Sequence, residues 1–330
     1  MQLSITSPAG VRCPRRGRDN LWGITIRLKQ LADFLAIVEC GSIRGAARLL
    51  GVSQPAITRS LRRLETDLGA QLLQRTPQGI LLTPRGRVFF GRVRAAHAEL
   101  QKAQDEVTNG AATEGSVSFG VGPAVGSLVV PEAVASFRIR YPRIQLRIIE
   151  GFAQHLAPLV RDGTLDFGVG TRPQRKDDST LTLKPLFTHE LVVVARKGHA
   201  LRGARSLKEL AGAEWASLVP PRAGESPVKR LFASARLAAP GEAIQCGSYH
   251  LFVALVSGTS MLGLLTRKLM AERPARDCLE VINVEESLPS YTIYLFTRTG
   301  IPLAAPAAAL AKAVAAASRR LTTLSKATAT

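Results

Sequence analysis

The sequence predicts an α/β protein with three parts: a small N-terminal helical module, a long helix, and a larger C-terminal domain in which strands and helices alternate. Three observations support this fold class. A chain of 330 residues is long enough to form two domains. Its composition, 46% hydrophobic and 21% charged, is sufficient for a sizeable core. Helical periodicity dominates the first third, and strand-like runs become frequent only after the small-residue segment 110–115.

Residues 28–86 predict a winged helix-turn-helix. A first helix starts at Leu28, Ser42 caps a second helix, and Ser53 caps a third. Pro55 is tolerated early in the third helix because the first helical turn has no acceptor for the missing N–H. The predicted wing consists of strands 72–76 and 80–83 on either side of the turn 77–79.

A long helix follows, beginning near Pro84, and residues 87–110 are predicted as a linker and dimerisation helix. Apolar residues form a stripe along it: Val88, Val93, Ala96, Leu100, Ala103 and Val107. A stripe of this length has to be buried, and the local sequence offers no neighbouring helix. A second copy of the same helix is the simplest partner, so we expect a homodimer.

The C-terminal domain, residues 116–330, shows the alternation typical of βαβ units. Its predicted strands are 117–121, 145–149, 166–169, 191–195, 215–219, 243–246, 261–265, 279–284 and 292–297. Its predicted helices lie near 128–140, 155–162, 206–210, 226–236, 249–257, 267–272 and 304–320.

The charge balance limits the possible partners. A formal net charge of +19 indicates that the partner is a polyanion, either nucleic acid or an anionic membrane surface. Residues 1–27 are basic and lack periodicity, so we interpret them as a disordered leader or as translated sequence upstream of the true start. They contain no apolar run of the kind that a signal peptide needs, and polar residues interrupt the least polar stretch, 249–266. We therefore expect a cytoplasmic protein with no membrane partner.

The segment 41–86, GSIRGAARLLGVSQPAITRSLRRLETDLGAQLLQRTPQGILLTPRG, strongly resembles the DNA-binding domain of the LysR-type transcriptional regulators. Four later motifs resemble the inducer-binding domain of the same family: Tyr141-Pro142, Glu150-Gly151, the run DGTLDF at 162–167 and GHAL at 198–201. The resemblance implies a two-subdomain fold of periplasmic-binding-protein type. Subdomain I is expected at about 116–190 and 295–330, and subdomain II at about 191–294.

The resemblance also has functional implications. It implies a sequence-specific regulator that binds double-stranded promoter DNA, forms a homodimer or homotetramer, works with RNA polymerase and responds to a small-molecule inducer. Within the family, the sequence looks most like regulators of aromatic-compound catabolism, such as the toluenesulfonate-operon regulator. One departure is Gly122, which stands where many relatives carry Ser or Thr. Direct recognition of a ligand by a hydroxyl group is therefore in doubt at that turn.

The third helix is the expected recognition helix, because only the first turns of such a helix reach base edges in the major groove. The predicted base-contacting residues are Gln54, Pro55, Thr58 and Arg59. Hydroxyl groups and cations near helix ends and wing tips suit phosphates instead. The predicted phosphate-contacting residues are Ser53, Arg62, Arg63, Arg75 and Thr76. For Arg63, a solvated helix face is an equally good interpretation.

The inducer site is predicted from topology. Ligands of α/β sheets lie beyond the carboxyl ends of strands, where helix N-termini offer N–H groups to anions. This rule selects Gly122, Pro123, Ala124, Val125, Arg222, Ser248, Tyr249 and Thr266 as inducer-binding residues. Each of these alone is equally well explained as an ordinary turn residue. We expect the inducer to be a small anion, an aromatic carboxylate or sulfonate, and we expect no other cofactor.

The sequence is also compared with three other classes of function: an enzyme, an architectural DNA-binding protein and a solute-binding module. The five histidines are isolated, and the chain has no nucleophile elbow, P-loop or metal-ligand spacing, so we expect neither catalytic nor metal-binding residues. The cysteines are far apart and are interpreted as reduced thiols: Cys13, Cys40, Cys246 and Cys278. A nonspecific architectural DNA-binding protein and a solute-binding module of a transporter remain as alternatives.

Overall fold

The computed structural model describes residues 26–77, 79–108, 115–173, 179–219 and 226–327. The predicted leader, apart from its last two residues, and Cys13 lie outside these ranges. The chain forms two compact units, residues 1–93 and 94–330. None of the described helices has the length and apolar character needed to cross a lipid bilayer.

The first unit contains the predicted helix-turn-helix and wing. Its elements are α1 (Leu28–Cys40), α2 (Ile43–Leu49), α3 (Gln54–Leu68), β1 (Leu73–Thr76), β2 (Gly79–Leu82) and the start of α4 (Pro84–Thr108). Gly41 ends α1 in a left-handed conformation at φ 65°, and the Ser42 side chain accepts a hydrogen bond from the Gly45 N–H at 3.0 Å. Phe34, Ile37, Ile57 and Leu64 form the centre of the core and are fully buried.

The wing and the start of α4 are fixed to this core. The Glu65 carboxylate on α3 accepts hydrogen bonds from the N–H groups of Leu72 and Leu73, at 2.8 and 3.2 Å. Gly86 on α4 lies so close to the Leu72 carbonyl that an added Cβ would be 2.0 Å from its oxygen. Glycine at this position therefore lets the helix pass the hairpin.

The second unit contains one mixed sheet with helices on its faces. The strands are β3 (Ser116–Val121), β4 (Gln145–Glu150), β5 (Phe167–Thr171), β6 (Leu181–Arg196), β7 (Trp215–Leu218), β8 (Glu242–Cys246), β9 (Leu262–Thr266), β10 (Leu279–Ile282) and β11 (Ser290–Arg298). The helices are α5 (Pro123–Leu128), α6 (Val130–Arg140), α7 (Ala153–Arg161), α8 (Pro227–Ser234), α9 (Tyr249–Gly258), α10 (Ala275–Cys278) and α11 (Ala305–Ala327).

The strand order β4-β3-β5-β11-β6-β9-β7-β8 divides the sheet into two halves at β6, which also pairs with β10. Residues up to Glu190 of β6 pair with β11, and residues from Leu191 onward pair with β9 and β10. The strand therefore changes partners at the predicted subdomain boundary of 190/191. β11 already pairs with the first half at Ser290, so the predicted return to subdomain I at 295 is too late.

Several predicted elements were wrong in type or extent. The predicted helix 206–210 is a series of turns, because the Glu286 carboxylate binds the Leu207 N–H at 2.9 Å and Leu207 is buried in the core. The predicted helix 128–140 begins two residues later, as α6, and the short helix α5 that precedes it was not predicted. Predicted helix 267–272 is a 3-10 helix, Arg267–Ala271, and β6 is far longer than the predicted strand 191–195.

Candidate nucleic-acid interface and ligand cavity

Helix α3 presents one buried side and one exposed side. Ile57, Leu61 and Leu64 pack into the core of the first unit. The predicted contact residues Gln54, Pro55, Arg59, Arg62 and Arg63 are exposed, and Thr58 is half-buried. This arrangement follows from the helical repeat, which places the apolar positions on one side and the polar positions on the other. The exposed side is cationic and contains the N-terminal turns of the helix.

Two hydroxyl groups at this interface are already engaged. The Thr58 hydroxyl donates to the Gln54 carbonyl at 3.0 Å, which leaves its methyl group for contact with an apolar partner. The Thr76 hydroxyl donates to the Gly79 carbonyl at 3.0 Å, so its proton is committed to the hairpin turn. Thr76 therefore suits its predicted role as a phosphate donor less well than the sequence implied.

Ser53 and Arg75 have the exposure that phosphate contact requires. Ser53 stands at the N-cap of α3, but its side chain makes no capping hydrogen bond, which corrects the predicted capping role. Arg75 is exposed on β1 of the wing. Residue 78, at the tip of the wing, lies outside the described part of the chain.

The stripe on α4 is exposed along most of its length. Val88 is 70% exposed, Leu100 48% and Val107 86%, and the two alanines of the stripe are also exposed. Val93 is the exception at 5%. Large apolar side chains that follow one side of a helix and face solvent mark a protein-contact surface.

A cavity of about 460 Å³ lies between the two halves of the sheet in the second unit. The first half contributes residues of the β3–α5 turn, the start of α7 and the end of β5: Gly122, Pro123, Val125, Phe152, Ala153, Gln154, Gly170, Thr171 and Arg172. The second half contributes 217–219, Pro227, Arg230, 264–266 and Leu269. The strands β6 and β11 add His189, Leu191 and 290–294. Its size is that of a small-molecule site.

The cavity brings together only some of the predicted inducer residues. Gly122, Pro123, Val125 and Thr266 line it. Arg222 and the side chain of Ala124 lie outside the described part of the chain.

The predictions for Ser248 and Tyr249 need correction, because neither residue lines the cavity. The Ser248 hydroxyl caps α9 by accepting from the Leu251 N–H at 3.4 Å. Tyr249 is only 2% exposed and packs into the core of the second half. Both side chains are therefore used in the structure of the second half, one as a helix cap and the other in its core.

Sequence reasoning missed two cations of the cavity. Arg172 follows β5 and Arg230 lies on α8, so they come from opposite halves of the sheet, and both are exposed. The Arg230 Nη2 donates to the Tyr291 hydroxyl at 3.1 Å, which holds the guanidinium group at the cavity wall. Guanidinium groups bind carboxylate, sulfate and phosphate oxygens through paired N–H donors.

His189 was also missed, and it is the one titratable group buried in the described cavity wall. It stacks edge-on against Phe187 and Tyr291, with ring centroids 6.2 and 6.3 Å apart. Burial, and to a smaller degree the positive charge of Lys268, lower the pKa of His189 to about 4. The imidazole is therefore neutral near pH 7. The alternation of Phe187, His189 and Leu191 was the sequence signal that could have identified this strand.

The described residues contain no group of three or more His, Cys, Asp or Glu side chains placed to hold a metal ion. Cys40, Cys246 and Cys278 form no disulfide bond. The two features with chemical consequences are therefore the cationic side of α3 and the cavity.

Two families match the chain. The bacterial regulatory helix-turn-helix protein, lysR family, matches residues 28–87. The LysR substrate binding domain matches residues 110–319. Together they cover both of the features described above.

Individual proteins show the same similarity. The SDS degradation transcriptional activation protein of Pseudomonas sp. (strain ATCC 19151) is 31% identical over 271 residues, which is 80% of this chain and 86% of that protein. The HTH-type transcriptional regulator TdcA of Escherichia coli (strain K12) is 30% identical over 191 residues, 57% of this chain. That match spans 61% of TdcA, less than two thirds of its length. The crystal structure of ArgP from Mycobacterium tuberculosis has a TM-score of 0.68 at 18% identity, covering 88% of this chain and 96% of that chain, which shows a shared fold.

Proposed function

Because the chain belongs to the LysR family, a family of transcriptional regulators and not of enzymes, we propose that it binds promoter DNA through α3 and that a small aromatic anion in the cavity sets its activity. Base contacts are assigned to Gln54, Pro55, Thr58 and Arg59, and phosphate contacts to Ser53, Arg62, Arg63 and Arg75. RNA polymerase is the proposed partner at the promoter.

The DNA-binding proposal is supported by the exposed cationic side of α3. Arg59 stands in the second turn of the helix, where a guanidinium group reaches the O6 and N7 acceptors of guanine. Arg75 lies on the wing, where a cation meets the sugar-phosphate backbone. The exposed stripe on α4 supports a homodimer, and a dimer places two such helices on two half-sites of one operator.

The observation that carries the effector proposal is the pair of arginines in the cavity wall. Arg172 and Arg230 line a cavity whose other walls are largely apolar and aromatic, including Phe152, Tyr291 and Ile293. A carboxylate or sulfonate group would bind the guanidinium groups, while a ring would lie against the apolar wall. Since the two arginines come from opposite halves, an anion between them would favour the closed arrangement of the halves.

A relative adds chemical support. The Pseudomonas protein similar to this chain is named for the degradation of SDS, and SDS carries an anionic sulfate group. Sulfate, sulfonate and carboxylate groups present similar oxygen acceptors to a guanidinium group.

Isothermal titration calorimetry on the full-length chain tests the effector proposal with benzoate, 4-toluenesulfonate and the neutral amide benzamide. We expect at least one of the two acids to bind and benzamide not to bind. Arg230→Gln should weaken binding of the acid about 10-fold or more, because a charge-assisted hydrogen bond contributes about 1.5–3 kcal/mol.

Lys229→Gln is the matched control, because Lys229 is an exposed cation next to Arg230 that does not line the cavity. It should leave affinity for the acid unchanged. Equal losses in the two variants would show a general charge effect and not recognition by Arg230. Binding of benzamide as tightly as the acids would contradict the anion assignment.

A further inference from the structure

We propose that the effector carries a neutral hydroxyl group in addition to its anionic group, and that this hydroxyl binds between His189 and Thr266. This inference rests on the proposed effector function of the cavity and goes one step further, because it specifies a hydroxylated aromatic acid. The argument uses the register of three strands, the burial of two polar side chains and the charge distribution of the cavity wall.

Strand register places His189 and Thr266 on the same side of the sheet. In β6, His189 and Leu191 are two residues apart, so their side chains point to the same face. Thr266 of β9 is paired directly with Leu191, and Tyr291 of β11 is paired directly with His189. Directly paired residues also share a face. All four residues line the cavity, so this face forms its floor.

Two polar side chains on this floor are almost fully buried, with exposures of 7% for His189 and 3% for Thr266. Among the described residues, neither the His189 Nδ1 nor the Thr266 Oγ1 has a hydrogen-bond partner. Thr266 precedes the 3-10 helix Arg267–Ala271, yet its hydroxyl does not cap that helix. Buried polar groups in folded proteins are nearly always hydrogen-bonded, so two unpaired groups beside one cavity indicate a ligand that pairs with them.

The chemistry of the pair selects a neutral ligand group. A neutral imidazole presents one N–H donor and one lone-pair acceptor, and a threonine hydroxyl both donates and accepts. A ligand hydroxyl, which also donates and accepts, matches both partners at once. A carboxylate placed between these two neutral side chains would lose much of its hydration without gaining a charged partner from them, which is costly.

Lys268, whose charge acts on His189, is engaged elsewhere. The Lys268 Nζ donates to the Leu321 carbonyl at 2.8 Å and lies 5.6 Å from the centre of the Phe187 ring. Lys268 is not a lining residue, although its charge contributes to the low pKa of His189. The anionic group of the effector is therefore assigned to Arg172 and Arg230, and the hydroxyl group to the floor.

The test compares benzoate with 2-, 3- and 4-hydroxybenzoate by calorimetry on the full-length chain. The three isomers sample different distances between carboxylate and hydroxyl. We expect one isomer to bind about 10-fold tighter than benzoate, the effect of one well-formed hydrogen bond to a buried partner. Thr266→Val and His189→Phe should each reduce this preference to within about 3-fold.

Thr182→Val is the matched control, because Thr182 is exposed on β6 and does not line the cavity. It should keep the full preference for the hydroxylated acid. Circular dichroism and the midpoint of urea unfolding establish that each variant is folded. Because benzoate affinity is measured in every variant, a general loss of binding is separated from a loss of the hydroxyl preference.

Two outcomes would overturn the inference in different ways. If benzoate binds in an Arg230-dependent manner but no hydroxybenzoate binds tighter, or the preference survives both substitutions, the assignment of the hydroxyl is wrong and the effector proposal stands. If none of the four acids binds, the proposal of an aromatic anion fails, and this inference fails with it.

Discussion

A substitution at Gly163 tests how the second half of α4 packs against the rest of the second unit. It has a φ of 78°, and a Cβ added there would lie 2.7 Å from the Arg298 Nη1 and 3.0 Å from the Ala98 Cβ. Arg298 cannot move aside easily, because it is only 7% exposed and pairs with Glu99 on α4. A second ion pair, between Arg94 and Asp162 at 3.5 Å, lies beside it. The turn at Gly163 is therefore packed directly against the helix.

Gly163→Ala should consequently be destabilising for two separable reasons. The left-handed backbone costs a non-glycine residue about 1 kcal/mol. The close contacts add the cost of overpacking, about 1–3 kcal/mol. Gly198→Ala supplies the control, because Gly198 has a similar φ of 73° with no atom within 4 Å of an added Cβ. It carries the backbone cost without the steric cost.

Calorimetric unfolding of the full-length chain measures both variants. Gly198→Ala should lower the melting temperature by a few degrees, and Gly163→Ala by several degrees more, since about 1 kcal/mol corresponds to about 2–4 °C in a domain of this size. The reasoning is refuted if Gly163→Ala is no more destabilising than Gly198→Ala. That result would mean that α4 and the Asp162–Thr164 turn are not packed as the structure has them.

Three further predictions concern DNA, assembly and pH. Arg59→Ala should lose about 1–3 kcal/mol on the specific operator and relax one base position, whereas Arg75→Ala should weaken binding to all DNA and reduce the salt slope; binding to operator variants at several salt concentrations distinguishes the two. Leu100→Asp should dissociate the dimer in analytical ultracentrifugation while Gln101→Asp, exposed on the same helix, should not; an unchanged mass for Leu100→Asp would exclude the stripe as the main contact. Because burial lowers the pKa of His189 from 6.5 to about 4, the unfolded chain takes up a proton first as the pH falls, so stability is full above about pH 6.5 and decreases toward pH 4. Protonation of this group lowers the free energy of unfolding by about 2 kcal/mol at pH 5. Between pH 7 and pH 5, urea unfolding of His189→Gln should therefore show a decrease in the free energy of unfolding that is smaller by about that amount.

The first unit was predictable because its signals are local. Leu28, Ser42 and Pro55 mark helix boundaries within a few residues of the structure's own, since caps and fixed dihedrals act on neighbouring residues. The apolar stripe on α4 was likewise predicted from helical spacing alone. All of its members except Val93 are exposed in the described part of the chain. Even here, the hydroxyl of Ser53 shows that a residue in a cap position need not cap.

The cavity was only partly predictable, because its walls depend on pairing between distant strands. Pro123 and Thr266 were found by a rule that needs only the end of a strand. The rule failed at Ser248, because it does not say whether a side chain after a strand faces the cavity or caps the next helix, and Ser248 caps α9. Arg230 and His189 each contact Tyr291 of β11, and β11 pairs with β6 across a long separation in sequence. The residues that we propose to distinguish one effector from another are thus placed by strand register, and register over such distances is set by the packed core and not by local sequence.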